Sequence, residues 1–152
     1  MIRSFIPLAD KKAFAREKAE EYFKFLESAN VDGAIVSDTG LIYLARTVAP
    51  NLSINLSTQA NTTNKYSVKF WGEQGVSRVV LARELSLDEI KAIRAAVPDD
   101  LELECFIHGS MCISYSGRCL LSDYLDGRSS NRGACVQPWR WRYEIRALNP
   151  TN

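Results

Sequence analysis

Apolar positions recur with helical or strand-like spacing through the first two-thirds of this chain, and the regularity then stops. Residues 2–8 (IRSFIPL) are apolar enough for a short strand, with Pro7 at its end. In residues 11–29, Phe14, Tyr22, Phe25, Leu26 and Ala29 fall on one side of a helix. Lys18, Glu20, Glu21 and Lys24 lie elsewhere on it, and Asp10 is placed to cap it. Residues 32–37 read as a buried strand ending at Asp38. Leu41, Leu44, Ala45 and Val48 follow the i, i+3, i+4, i+7 spacing of a helix that Pro50 stops. LSINLSTQ (52–59) reads as a strand, and 64–74 as a helix carrying Val68 and Trp71, with Gly75 as its stop. RVVLARE (78–84) is a further strand. Ser86 and Glu89 form a capping box for a helix bearing Ile90, Ile93 and Val97. LELECFIHG (101–109) is the last strand, after which Gly, Ser and Arg become common.

This alternation predicts an α/β fold of βα units with parallel strands joined by crossover helices. Strand centres near Ile35, Ile54, Val80 and Leu103 lie 19 to 26 residues apart. A (β/α) barrel and a doubly wound sheet both satisfy that spacing. No glycine fingerprint for a phosphate follows any strand, which weighs against a dinucleotide site. Five strands cannot close an eight-stranded barrel. The expectation is therefore either an open sheet or part of a larger (β/α) barrel over residues 1–110, with the chain a fragment at both ends. Residues 111–152 form a cysteine-, arginine- and aromatic-rich segment packed on the strand ends within the same domain. Open sheet edges of such a fragment are expected to be covered by a second copy or a partner subunit.

Composition changes this picture little: 46% apolar and 24% charged residues in 152 are ordinary for one soluble domain. The charge distribution says more. Residues 1–111 hold thirteen Lys and Arg against fifteen Asp and Glu, whereas 112–152 hold six arginines, no lysine and three acids. The start has no signal-peptide pattern, and no stretch approaches the roughly 20 apolar residues of a membrane span. A cytoplasmic location is expected, where disulfides are rare.

All four cysteines lie between Cys105 and Cys135, with spacing C-x6-C-x6-C-x15-C. Neither the tight pairs of a zinc finger nor a C-x-x-C redox motif is present. Cys105, inside a strand, reads as a small core residue. Cys112, Cys119 and Cys135 lie in irregular chain and admit three readings: ligands of a metal or iron–sulfur cluster, inert thiols, or a reactive thiol. The tail interleaves arginine with Trp139, Trp141 and Tyr143. It reads either as an RNA contact, guanidinium on phosphate and ring on base, or as an alternating β-strand.

In parallel α/β proteins the chemistry sits beyond the carboxyl ends of the strands. Those ends carry Asp38, then Ser57, Thr58, Gln59 and Asn61, then Arg83 and Glu84, then His108. The set suits a polar or anionic small molecule. His108, Arg83 and Glu84 are the catalytic candidates. Asp38, Thr58, Gln59, Asn61 and Arg132 are the substrate-binding candidates. Plainer readings stand beside these: Asp38 as a helix cap, the others as loop polars, His108 as a structural histidine. Arg83 and Glu84, adjacent on a strand, would face opposite sides.

At this point the residues resemble a known signature. Phe106, His108, Gly109 and Cys112, then Tyr115, Ser116, Gly117 and Cys119, then Asn131, Arg132, Gly133, Cys135 and Gln137, closely resemble the collagenase-like peptidase family U-32. STQAN (57–61) and RVVLARELS (78–86) are similar to it as well. The resemblance implies part of a TIM-type barrel with a C-terminal extension. The family name records a collagen-degrading activity. Other relatives support oxygen-independent hydroxylation of a tRNA wobble uridine with prephenate, of a ribosomal RNA cytidine, or of a ubiquinone precursor. Relatives of the last kind bind a four-iron cluster through four cysteines. By position Cys112, Cys119 and Cys135 match three of these, and the fourth is expected beyond Asn152. The family commonly reads C-x-Q-x-C-R-W, and here Trp139 stands at the last cysteine's place. The leading expectation is a tRNA 5-hydroxylation factor with an iron–sulfur cluster, prephenate as co-substrate and RNA as partner. The alternatives are a peptidase, with Cys112 and His108 as a conceivable dyad, and an inactive fragment.

Overall fold

The computed structural model describes residues 3–5, 16–109, 111–130 and 133–145. Five short strands, β1 (Arg3–Phe5), β2 (Gly33–Val36), β3 (Ile54–Leu56), β4 (Arg78–Val80) and β5 (Glu102–Glu104), form one sheet. Each pairs in parallel with the next, so the spatial order is the chain order, β1-β2-β3-β4-β5. Helices α1 (Arg16–Ser28), α2 (Thr39–Val48), α3 (Lys65–Glu73) and α4 (Leu87–Arg94) make the connections. A doubly wound sheet reverses direction at a switch point. No reversal occurs here, and right-handed crossovers then place the connecting helices on one face. That is the arrangement of a run of units from a (β/α) barrel.

The register shows how the two faces differ. Ala34 pairs with Ile54, and Val36 with Leu56, which pairs in turn with Val79. All five are buried and belong to the main core, with Phe23 and Leu26 of α1, Ile42 and Ala45 of α2, Val68 and Trp71 of α3 and Ile93 of α4. The intervening residues point the other way. Asn55 neighbours Arg78, and Arg78 neighbours Glu102. Arg78 holds Glu102 and Glu104 in an ion-paired cluster on that second face. One sheet face is thus apolar and helix-covered, and the other carries an arginine–carboxylate group.

The helix signals act as the sequence predicts. Asp38 caps α2 by accepting from the Leu41 amide at 3.0 Å. Asn64 caps α3 through the Tyr66 and Ser67 amides. The Ser86–Glu89 capping box opens α4, and Gly75 after α3 has φ +78°. Asp10 and Phe14 lie outside the described residues.

The strands are shorter than predicted, with consequences at three places. Arg83 and Glu84 lie beyond β4 rather than on opposite faces of it. Cys105 follows β5 and is exposed, not a core residue. The tail beyond Gln137 is not a strand among the described residues: Pro138–Arg140 form a 3-10 turn, and no pairing involves Trp141 to Ile145. After β5, the regular structure of the described residues includes one six-residue helix, α5 (Leu121–Asp126), and that turn. No helix among the described residues is long and apolar enough to cross a membrane.

Candidate functional site: a three-cysteine cavity beyond the strand ends

The strand-end loops hold the irregular segment from beneath. After β4, Arg83 donates from Nη2 to the Ser114 carbonyl at 2.8 Å and from its amide to Ser116 Oγ at 3.4 Å. Glu84 accepts from the Ser116 amide at 2.8 Å. After β3, Thr58–Ala60 make a 3-10 turn stabilised by Ser57, whose Oγ accepts from the Gln59 amide. Gln59 Nε2 donates to the Ser130 carbonyl at 3.3 Å. Gly117 sits directly on this turn. A Cβ there would stand 1.9 Å from the Gln59 carbonyl oxygen, and its φ of +71° is one that only glycine adopts easily. The Y-S-G sequence is therefore a docking element: Ser116 takes the β4 loop and Gly117 takes the β3 loop.

The segment is then folded on itself by serines. Buried Ser122 donates to the Arg128 carbonyl at 2.6 Å and accepts from the Val136 amide at 3.1 Å. Ser130 donates to the Cys119 carbonyl at 2.9 Å. Asn131 and Arg132 lie outside the described residues.

These contacts enclose a cavity of about 160 Å³. It is lined by Cys112, Cys119 and Cys135, together with Gln59, Arg83, Gly117, Ser130, Gln137 and Trp139. All three thiols are free and half-buried. Two of them already accept backbone hydrogen bonds of one kind, from the amide two residues on. The Ser114 amide reaches Cys112 Sγ at 3.4 Å, and the Gln137 amide reaches Cys135 Sγ at 3.3 Å. Gln137 achieves this in the left-handed region, φ 55°, a conformation a non-glycine residue holds only when its surroundings demand it.

Two further groups in this wall have buried N–H atoms with no acceptor: Arg83 Nε and Trp139 Nε1. An unsatisfied buried donor costs about 1–3 kcal/mol. The Arg140 guanidinium lies over the Trp139 ring, 4.7 Å from its centroid. At Glu84, burial opposes the charged form. The Ser116 amide and hydroxyl, its own amide and the adjacent Arg83 outweigh that effect and hold its carboxyl below the usual range.

Of the residues that sequence analysis singled out, the fold brings together Gln59, Arg83, Cys112, Cys119 and Cys135. Glu84 is an anchor one bond away from the wall. Thr58 Oγ1 donates to the Leu81 carbonyl and does not line the cavity, and Asp38 is occupied as a cap. Asn61, in the left-handed region with a buried Nδ2 lacking an acceptor, closes the turn that carries Gln59. His108 is exposed and outside the lining, and no hydrogen bond joins it to Cys112. Arg132 lies outside the described residues. Gln137, Trp139 and Ser130 were missed as lining residues. The N-R-G-x-C-x-Q run (131–137) was the available signal for Gln137.

Could the cavity hold a metal? Among the described residues, no three His, Cys, Asp or Glu side chains stand close enough for a single ion. A single ion bound by three thiolates at about 2.3 Å would draw the sulfurs together. Thiolates that each bind a different iron of one cluster stand farther apart. Three thiols lining one cavity, two of them with N–H···S bonds, are compatible in chemistry with the second arrangement, in which they would be three of the ligands.

Comparison with known proteins agrees with the fold and the motifs. The model for peptidase family U32 matches residues 11–151. The chain is 50% identical over 133 residues to tRNA hydroxylation protein P1 of Bacillus subtilis, covering 88% of this chain and 31% of that protein. It is 39% identical over 130 residues to the 23S rRNA 5-hydroxycytidine synthase of Escherichia coli, covering 86% of this chain and 19% of that protein. The solved structure of the U32 peptidase Mk0906 superposes with a TM-score of 0.56 at 19% identity, over 68% of this chain and 44% of that one, a likeness of fold. The chain thus spans about a third or less of the length of these curated relatives. With Cys112, Gly117, Cys119, Cys135 and Gln137 of the signature lining one cavity and the family model matching nearly end to end, the chain belongs to peptidase family U32.

Proposed function

We propose that this chain carries the cluster-binding and strand-end part of an RNA 5-hydroxylation protein, acting on the wobble uridine of tRNA. The observation that carries the reading is the convergence of Cys112, Cys119 and Cys135 on one cavity beside Arg83 and Gln59. Relatives named for tRNA and rRNA hydroxylation, which share this segment at 39–50% identity, support the RNA substrate. In this reading the three thiolates hold an iron–sulfur cluster, which supplies one-electron chemistry when bound. The fourth ligand comes from outside the described residues.

The chain's own residues do the rest. Arg83 supplies a fixed cation at the cavity wall, where a small anionic co-substrate such as prephenate is expected to bind. Gln59 ties the β3 loop to Ser130 and so sets the depth of the wall. The arginines of the 112–152 segment face an RNA backbone, whose phosphates require such charge. Arg132 belongs to that set.

A peptidase reading finds less support. Its one histidine is exposed and unconnected to the cavity thiols. Two measurements separate the readings. Mass spectrometry of tRNA from a strain lacking the protein should show loss of wobble-uridine hydroxylation. That loss should be restored by the wild-type gene and not by Cys119→Ser. Unchanged hydroxylation in the deletion strain would overturn the proposal.

A further inference from the structure

Arg83 Nε and Trp139 Nε1 stand out among the polar atoms of this wall. Among the described residues both are buried donors without an acceptor, and both residues line the cavity that the three thiols line. Native proteins rarely leave such groups unpaired, and an unpaired donor at a cavity points to a ligand that accepts from it. Neither side chain is loosely placed. Arg83 is tethered through Nη2 to the Ser114 carbonyl, which leaves Nε uncommitted. Trp139 is fixed in the 3-10 turn after buried Pro138, with the Arg140 guanidinium over its ring. Cys112 and Cys135 already have backbone donors, whereas no hydrogen bond is seen at Cys119 Sγ among the described residues.

We propose that Arg83 Nε–H and Trp139 Nε1–H are the hydrogen-bond donors to the sulfur of the cluster bound in this cavity, and that they set its reduction potential without ligating it. This rests on the cluster reading above. The charge argument is direct. Whatever the net charge of core and thiolates together, one-electron reduction would add one negative charge to it. A donor facing that sulfur stabilises the reduced state more than the oxidised one, because the reduced state places more charge on the acceptor. A tryptophan at this position therefore contributes an N–H where a cysteine would contribute a thiolate. Removing the N–H must lower the potential.

The test uses the full chain, reconstituted anaerobically with ferrous iron and sulfide. Iron and sulfide per chain are measured first, then the midpoint potential by EPR-monitored titration, for wild type, Trp139→Phe and Arg83→Lys. The expected result is unchanged iron and sulfide in Trp139→Phe, with the midpoint lowered by about 59 mV. That corresponds to a tenfold fall in the ratio of reduced to oxidised cluster at fixed potential for a one-electron couple. Arg83→Lys, which keeps the charge and loses the Nε–H, should fall in the same direction.

An unchanged midpoint in Trp139→Phe, or loss of its iron, would overturn the proposal, since a tuning donor is not needed for retention. If that variant does not fold, benzothienylalanine at position 139, which keeps the ring shape and lacks the N–H, decides by the same midpoint. A wild-type chain that binds neither iron nor sulfide would overturn the cluster reading itself, and that result is distinct from a loaded cluster whose potential ignores both donors.

Discussion

The βα scaffold and the segment that follows it are held together by different forces. In residues 16–104 the buried set is Phe23, Leu26, Ile54, Leu56, Val68, Val79, Leu81 and their apolar neighbours. In residues 111–145 the buried residues among those described are Ser116, Ser122 and Pro138. There Ile113, Tyr124 and Ile145 are 79%, 85% and 100% exposed. The first region is stable by burying side chains on a periodic pattern. The second is positioned by serine hydroxyls, backbone amides and one glycine, all fastened to the loops of the first. A hydrophobic core sets where the strands end, and a polar stitching sets where the thiols stand.

The largest effect should come from damage to the scaffold. Leu56, fully buried on β3, is packed in the core directly before the Ser57–Asn61 turn. Leu56→Ala should cost about 2–5 kcal/mol. Chemical denaturation followed by far-UV circular dichroism would show this as a lower midpoint, and cluster loading should fall with it. A shift under 1 kcal/mol would mean the core is not what orders the chain.

The comparison sharpens with Gly117→Ala. The added methyl meets the Gln59 backbone, and the positive φ costs about 1–2 kcal/mol for an L-residue. Helix content should stay near wild type, while iron retained after anaerobic reconstitution drops to a minor fraction. Equal losses of both would show that the two regions are not separable in this way.

The smallest effect is a pH dependence. Glu84 has its carboxyl lowered in the folded chain, so its contribution is complete above the unfolded carboxylate range, near pH 4.3. It is lost as pH falls through the folded value. Protection against amide exchange across 114–119, taken relative to the intrinsic rate at each pH, should therefore fall in acid below about pH 4. Glu84→Gln should flatten that dependence and leave exchange in α1 to α4 unaltered. A profile identical in the variant would place the anchor elsewhere.

Much of the scaffold was legible in the sequence because periodicity is local. The spacing of Leu41, Leu44, Ala45 and Val48, the Ser86–Glu89 box and the stop at Gly75 each act within a few residues. Strand length was not legible. Leu81 and Ala82 are as apolar and buried as strand residues, yet the pairing ends at Val80, and this moved Arg83 and Glu84 off the sheet. Cys105 was misread for the same reason. It stands in the run LELECFIHG between Leu103 and Phe106, but β5 stops at Glu104 and the next residue is exposed. In the segment, the cysteines stood out by chemistry. Ser122 and Ser130 did not, because a serine that closes a loop across six to fourteen residues has no period. The resemblance to U32 proteins drew attention to Gly117 and Gln137, and the geometry supplies the reasons: a backbone contact for one and an N–H···S bond for the other.

The central claim is that Cys112, Cys119 and Cys135 form one site and Cys105 stands apart from it. Iron and acid-labile sulfide, assayed per chain after anaerobic reconstitution, with the broad visible absorbance recorded alongside, test it most directly in four single Cys→Ser variants. The account predicts that Cys112→Ser, Cys119→Ser and Cys135→Ser each lose most of the iron and sulfide, and that Cys105→Ser retains wild-type content. Loss in Cys105→Ser equal to the other three, or a wild-type chain with neither iron nor sulfide, would contradict it.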